Sequence, residues 1–144
     1  MSTVSFTVYG VPRPQGSKKH VGKGIMVETN KNLPHWRGAV AQAAAQADGS
    51  YLTVGPVQLT VQFVFPRPKG HYGSGKNSGV LKASAPSHPT SKQLGDLDKL
   101  LRGLCDAITG VLIADDSQVV GILATKEYGE PAQAAIRMET FNNG

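Results

Sequence analysis

Asp96, Asp98 and Asp106, followed by the pair Asp115-Asp116, are the residues of this chain most able to do chemistry. Carboxylates brought to one spot repel and raise one another's pKa. A hard divalent cation removes that penalty, and oxygen-only donors select Mg²⁺ or Mn²⁺ over zinc. The four histidines, His20, His35, His71 and His88, are scattered through basic or loop segments, and the single Cys105 can build neither a thiolate metal site nor an internal disulfide. Carboxylates facing a phosphodiester without metal are repulsive, so a cation and a phosphate substrate belong to one hypothesis. The structural alternative is that Asp96 or Asp98 caps a helix and Asp115-Asp116 makes an Asx turn.

Positioning these acids falls to a helix and the turn after it. Leu97, Leu100, Leu101, Leu104 and Ile108 recur with helical period, and Gly110 stops the run. At ~100° per residue, Asp98, Arg102 and Asp106 lie within about 80° of one another on the face opposite the leucines. Asp96 shares that face only if the chain enters the helix between it and Asp98, which predicts Asp96 at or before the helix start. From Gly110 to Asp116 the chain reaches at most about 20 Å, against roughly 18 Å of helix from Asp98 to Gly110. An antiparallel return would therefore bring Asp116 beside Asp96 and Asp98.

The other elements follow from periodicity. Thr3 to Tyr9 alternates as a half-buried strand, Gly10 to Pro14 breaks it, and the glycine-rich basic run Gln15 to Gly24 reads as a loop, with a possible short strand over Ile25 to Glu28. Residues 34–47 read as a helix with Trp36 on its apolar face, in the core or at a dimer contact, and Val57 to about Phe65 as a second strand. Residues 66–95, rich in Pro, Gly, Ser and Lys, read as a long mobile loop. Gln118 to Lys126 is apolar on both faces and predicts a central buried strand; Ala134 to Thr140 alternates and predicts an edge strand or hairpin partner. The order implies one α+β domain over residues 1–144, a mixed sheet with two main helices packed on it and a long basic loop at 66–95.

Charge is unevenly placed in this 144-residue chain of net +5. Residues 1–38 carry Arg13, Lys18, Lys19, Lys23, Lys31 and Arg37 against Glu28 alone, and residues 66–95 carry Arg67, Lys69, Lys76, Lys82 and Lys92 with no acid. Eight of the ten acids lie after residue 95. Basic segments beside one acidic segment suit a polyanion binder whose negative charge is gathered for a purpose; a slightly basic solvated surface is the bland alternative. No run approaches the ~18 apolar residues of a membrane span, and the start lacks a secretory pattern.

The run GDLDKLLRGLCDAITGVLIADDSQVVGILATKEY, Gly95 to Tyr128, resembles the RusA family of Holliday-junction resolving endonucleases in its D-x-D, the helix with D-A-I, the D-D-x-Q-V and the strand ending in Lys. Gly10 to Pro14 and Gln15 to Lys19 are similar to the phage and prophage branch of that family, while 66–95 is unmatched. The resemblance implies a small RusA-like homodimer that cuts four-way DNA junctions by symmetrical nicks with Mg²⁺ or Mn²⁺, in the cytoplasm of a bacterial or phage-infected cell. It assigns Asp96, Asp98 and Asp116 as metal-binding acids, with Asp115 beside them. The family's helix lysine falls on Arg102, which keeps the charge and can grip a phosphate but is no proton donor near neutral pH. The residues then expected to bind DNA are Arg13, Lys18, Lys19, Lys23, Lys69, Lys76, Lys99 and Lys126, Lys126 being equally readable as a plain strand-end charge. Rival expectations are a flap- or fork-directed Mg²⁺ nuclease and a catalytically silent DNA-binding module.

Overall fold

The computed structural model describes residues 2–16, 18–20, 26–28 and 32–141, the two three-residue pieces without their side chains. The order is β1 (Thr3–Tyr9), β2 (Lys18–His20), β3 (Met26–Glu28), α1 (Leu33–Gln46), β4 (Val57–Phe65), α2 (Leu97–Ile108), β5 (Val119–Tyr128) and β6 (Gln133–Thr140). β1, β6, β4 and β5 form a mixed sheet in that spatial order, and β2 pairs with β3 in a separate antiparallel ribbon. Within this sheet β4 and β5 run parallel, joined by a crossover that contains α2, and the other neighbours are antiparallel. The fold is α+β.

Both helices cover one face of the sheet. Val4 and Val8 of β1, Leu59, Val61 and Phe63 of β4, and Ala134, Ile136 and Met138 of β6 meet Trp36, Val40 and Ala44 of α1 and Leu100, Leu104 and Ile108 of α2 in a single core. Trp36 is buried there, as its place on the apolar face predicts. The other face is polar, with Ser5, Thr7, Thr60, Gln62 and Arg137 around an open hollow.

Three expectations are corrected. β5 is not the central strand: it lies at the sheet edge, with Val120 65%, Leu123 64% and Ile122 43% exposed. β6 is not an edge strand and does not pair with β5; it sits between β1 and β4. Its alternation reflects a sheet covered on one side, a pattern that interior and edge strands share. The run Gln15 to Gly24 is also not all loop, since Lys18–His20 is a strand paired with Met26–Glu28.

Residues 66–95 carry three short 3-10 turns, at Lys69–His71, Gly75–Asn77 and Lys92–Leu94, and a bridge between Tyr72 and Leu81. Their glycines and prolines serve these turns, which are too short to leave a periodic signal. Among the described residues no helix is long and apolar enough to cross a membrane.

Candidate active site

α2 begins at a clamped turn. Gly95 has φ +98°, a left-handed conformation that glycine adopts without strain, and a Cβ there would lie 2.5 Å from Cβ and Cγ of Pro14. One turn on, the Gln15 N–H donates to the Lys99 carbonyl at 3.1 Å. At Gly103 a Cβ would meet Leu33 Cδ1 at 3.3 Å. The segment leading into β2 thus lies directly along the first two turns of α2. From the sheet side, Lys126 Nζ donates to the Gly95 carbonyl at 3.1 Å.

Asp96 is the N-cap residue of α2, as expected, yet its side chain makes no capping hydrogen bond, and Asp98 sits in the first turn. Both are exposed. Negative charge is favourable at a helix N-terminus, so the fold tolerates these carboxylates without neutralising them. Arg102, one turn beyond Asp98, is exposed too, while Lys99 is half-buried.

The other acids gather toward the far end of α2. After the helix, Gly110 takes φ +88°, and its N–H donates to the Ile113 carbonyl at 2.7 Å. Gln118 then anchors the turn, its Nε2 donating to the carbonyls of Thr53 and Gly55 at 2.8 Å each. Asp115 accepts from the Ser117 N–H at 2.8 Å and forms a reciprocal cap with Gln118. The Ser117 backbone N–H first, then a side-chain hydrogen bond from Ser117, then one with Asp116, hold the Asp115 carboxyl below its ordinary range. The Asx-turn reading therefore holds for Asp115.

Asp115 and Asp116 line a shallow cleft of about 290 Å³ with Asp106, Thr109 and Arg37. Cys105 registers this neighbourhood. Burial first, then the charges of Asp116 and Asp106, push its thiol up to about 11, so it stays protonated near neutral pH.

Because the chain is pinned at Gly110 and Gln118, Asp115 and Asp116 stay by Asp106, eight residues and about 12 Å along the axis from Asp98. The antiparallel return is made by β5, and its far end brings Lys126 to Gly95. Among the described residues, no three His, Cys, Asp or Glu side chains are placed to hold one metal ion. Among them also, no carboxylate of α2 or of the 115–116 turn pairs with a cation; the ion pair formed is Arg137 Nη2 to Glu139 Oε1, 2.7 Å, on β6. Five carboxylates on one helix face and the turn behind it thus form no ion pair with the described residues. As a donor set they fit Mg²⁺ or Mn²⁺, which needs only one or two protein carboxylates when substrate phosphate and water complete the shell.

Of the expected DNA contacts, Lys69 and Lys76 are exposed in 3-10 turns, Arg13 is half-buried along α2, and Lys126 reaches the Gly95 carbonyl. Lys18 and Lys19 lie on β2, whose side chains are outside the described part, and Lys23 lies outside the described residues. Arg37, Arg67, His71 and Tyr128 were not singled out as site residues in the sequence. The signal available was weak: Tyr128 shares the strand face of Lys126, two residues away.

The architecture is that of a small α+β domain with an acid-bearing helix and a basic N-terminal ribbon. The family described as Endodeoxyribonuclease RusA matches residues 8–139, and the chain belongs to that family. Cleavage within DNA strands is therefore its general activity. The chain is also 34% identical over 145 residues to Uncharacterized protein YqaN of Bacillus subtilis (strain 168), covering 94% of this chain and 95% of the relative.

Proposed function

We propose that this protein is a Mg²⁺- or Mn²⁺-dependent, structure-selective endodeoxyribonuclease that resolves four-way DNA junctions by symmetrical nicking, acting as a homodimer. The observation that carries the reading is the set of carboxylates on α2 and the following turn that form no ion pair with the described residues, in a chain that matches an endodeoxyribonuclease family over nearly its whole length.

Asp96, Asp98 and Asp116 are the acids that hold the cation, with Asp115 contributing the oxygen not engaged by Ser117. Drawing both groups onto one site needs a shift in the 115–118 turn or a second ion; either is compatible with a site completed by a DNA phosphate. The cation supplies Lewis acidity toward the phosphodiester and hydroxide at neutral pH. Arg102 projects from the Asp98 face and steadies the attacked phosphate through its planar fork. Lys99 adds charge beside it, and Lys126 fixes the Gly95 carbonyl so that Asp96 leaves the turn in one direction. The protonated Cys105 takes no nucleophilic part. Arg13, Lys18, Lys19, Lys23, Lys69 and Lys76 hold the DNA backbone, each phosphate contact contributing about −0.9 to the log–log salt slope.

The homodimer reading is supported by β5. A ten-residue strand at a sheet edge with Val120 and Leu123 exposed offers unpaired backbone groups and apolar surface to a second copy. A nicking assay on a labelled four-way junction tests the proposal. Cutting at symmetrical positions with Mg²⁺ or Mn²⁺, abolished by chelator and by Asp96→Asn, Asp98→Asn or Asp116→Asn, is expected. Binding without cutting would favour a silent module, and preferential cutting of flaps or forks would replace the junction.

A further inference from the structure

Beside the Asp96 turn lies a cavity of about 500 Å³ lined by Arg67, His71, Pro86, Gln93, Leu94 and Tyr128 among others. Its walls come from the segment 66–95 and the end of β5. Arg67 Cζ sits 4.4 Å above the centre of the Tyr128 ring. The His71 ring meets Tyr128 edge-on, at 5.3 Å between centroids and 88° between planes. One Arg67 nitrogen, Nη1, donates to the Pro86 carbonyl at 2.8 Å and lies 3.3 Å from His71 Nδ1. A guanidinium carries five N–H donors, so further donors are left for an occupant.

We propose that this cavity is a nucleobase site: it takes one base of the branched DNA next to the cut, stacked on the Arg67–Tyr128 pair with the His71 ring set edge-on beside it. Three observations point the same way. The Arg67–Tyr128 stack gives a π-rich surface flanked by Pro66, Pro86 and Leu94, the kind of surface on which bases stack irrespective of sequence. Its charge is cationic, with no carboxylate among the lining residues, which suits a nucleotide that brings its phosphate. The volume falls within the ~300–1,000 Å³ of small-ligand sites, ample for a base and its sugar.

The position gives the site its purpose. Leu94, in the cavity wall, is followed by Gly95 and Asp96. Gly95 is held by Lys126, two residues before Tyr128 on the same strand face. A base seated against Tyr128 therefore leaves its backbone along the Asp96 turn. Paired bases inside a duplex are unavailable, and extruding one carries an energetic cost that is least where the base is already unpaired. At a branch point continuous stacking is interrupted, so a terminal pair opens there at lower cost than inside a duplex, and the cavity would bias the enzyme toward the branch without reading base edges.

This inference rests on the junction reading above, and its test separates the two. Binding is measured in chelator, where no cutting occurs, to four-way junctions carrying a single abasic nucleotide at successive positions around the crossover. For the unaltered protein, one position should weaken binding about tenfold, in line with the stacking contribution of a base on an aromatic. For Tyr128→Ala that position should no longer matter. Because the Tyr128 ring also packs on the core, Arg67→Ala is a second variant, each checked for folding by its thermal melt. The inference is overturned if no abasic position matters to the unaltered protein, or if folded variants lose as much at that position as it does. Equal affinity of the unaltered protein for junction and linear duplex would overturn the junction reading itself, and the site's role with it.

Discussion

The two ends of α2 present their carboxylates in different states. At the N-terminal end, Asp96 and Asp98 are exposed, with carboxylates that bond no described residue, on a turn fixed from three sides by Pro14, Gln15 and Lys126. Toward the other end, Asp115 is spent on its own turn, and Asp116 shares a cleft with Asp106, Thr109 and Arg37. A rigid support bearing uncommitted acids is what preorganised electrostatics requires. Acids already engaged in holding backbone are poorer candidates, because recruiting them costs local structure.

The largest expected effect breaks this comparison outright. Asp96→Asn and Asp98→Asn should each lower junction cutting by about 10³-fold, the scale for losing a charge aimed at the reacting centre, whereas Asp106→Asn should cost less than about tenfold. Rates under single turnover, with binding measured separately in chelator, check it; a larger loss for Asp106→Asn would reverse the ranking of the two ends. Next comes the clamp. Gly95→Ala should destabilise the protein by about 1–3 kcal/mol from backbone strain, with more from the contact with Pro14, read as a lowered denaturant midpoint; an unchanged midpoint would mean that Pro14 does not hold the turn.

Smaller effects sharpen the far end. Asp115→Ala removes the oxygen that accepts from Ser117 and should lower the denaturant midpoint less than Gly95→Ala does. Cys105 reports on the Asp116 cleft without DNA. Its alkylation should stay slow at neutral pH and rise only as pH approaches about 11, and Asp116→Asn should shift that profile downward while Asp98→Asn, whose charge is not among the causes, leaves it in place. The linkage has a definite sign. Because the folded thiol holds its proton above the ordinary value of 9.0, its contribution to stability is complete below pH 9 and is lost as pH rises through about 11.

Much of this was legible in the chain. The leucine stripe gave α2 to within a residue, the entry of Asp96 at the helix start followed from its angle to Asp98, and the combined motif led to the family. What was not legible is tertiary. Whether an apolar run such as Val119 to Leu123 sits inside a sheet or at its edge depends on which strands flank it, and β6 took the interior place between β1 and β4. Likewise, reach alone let Asp116 travel back to Asp98. The bonds of Gly110 and Gln118, which depend on Ile113, Thr53 and Gly55, hold it at the other end and leave Lys126 to make the return. The Arg67–Tyr128 stack joins residues on two segments with no shared periodicity.

Strand cleavage of an end-labelled four-way junction, with Mg²⁺ and then with excess chelator, by the unaltered protein and by Asp98→Asn, tests the central claim most directly. Paired symmetrical nicks seen only with Mg²⁺ and only for the unaltered protein are the predicted result. Equal cutting by Asp98→Asn, or cutting that persists in chelator, would contradict it.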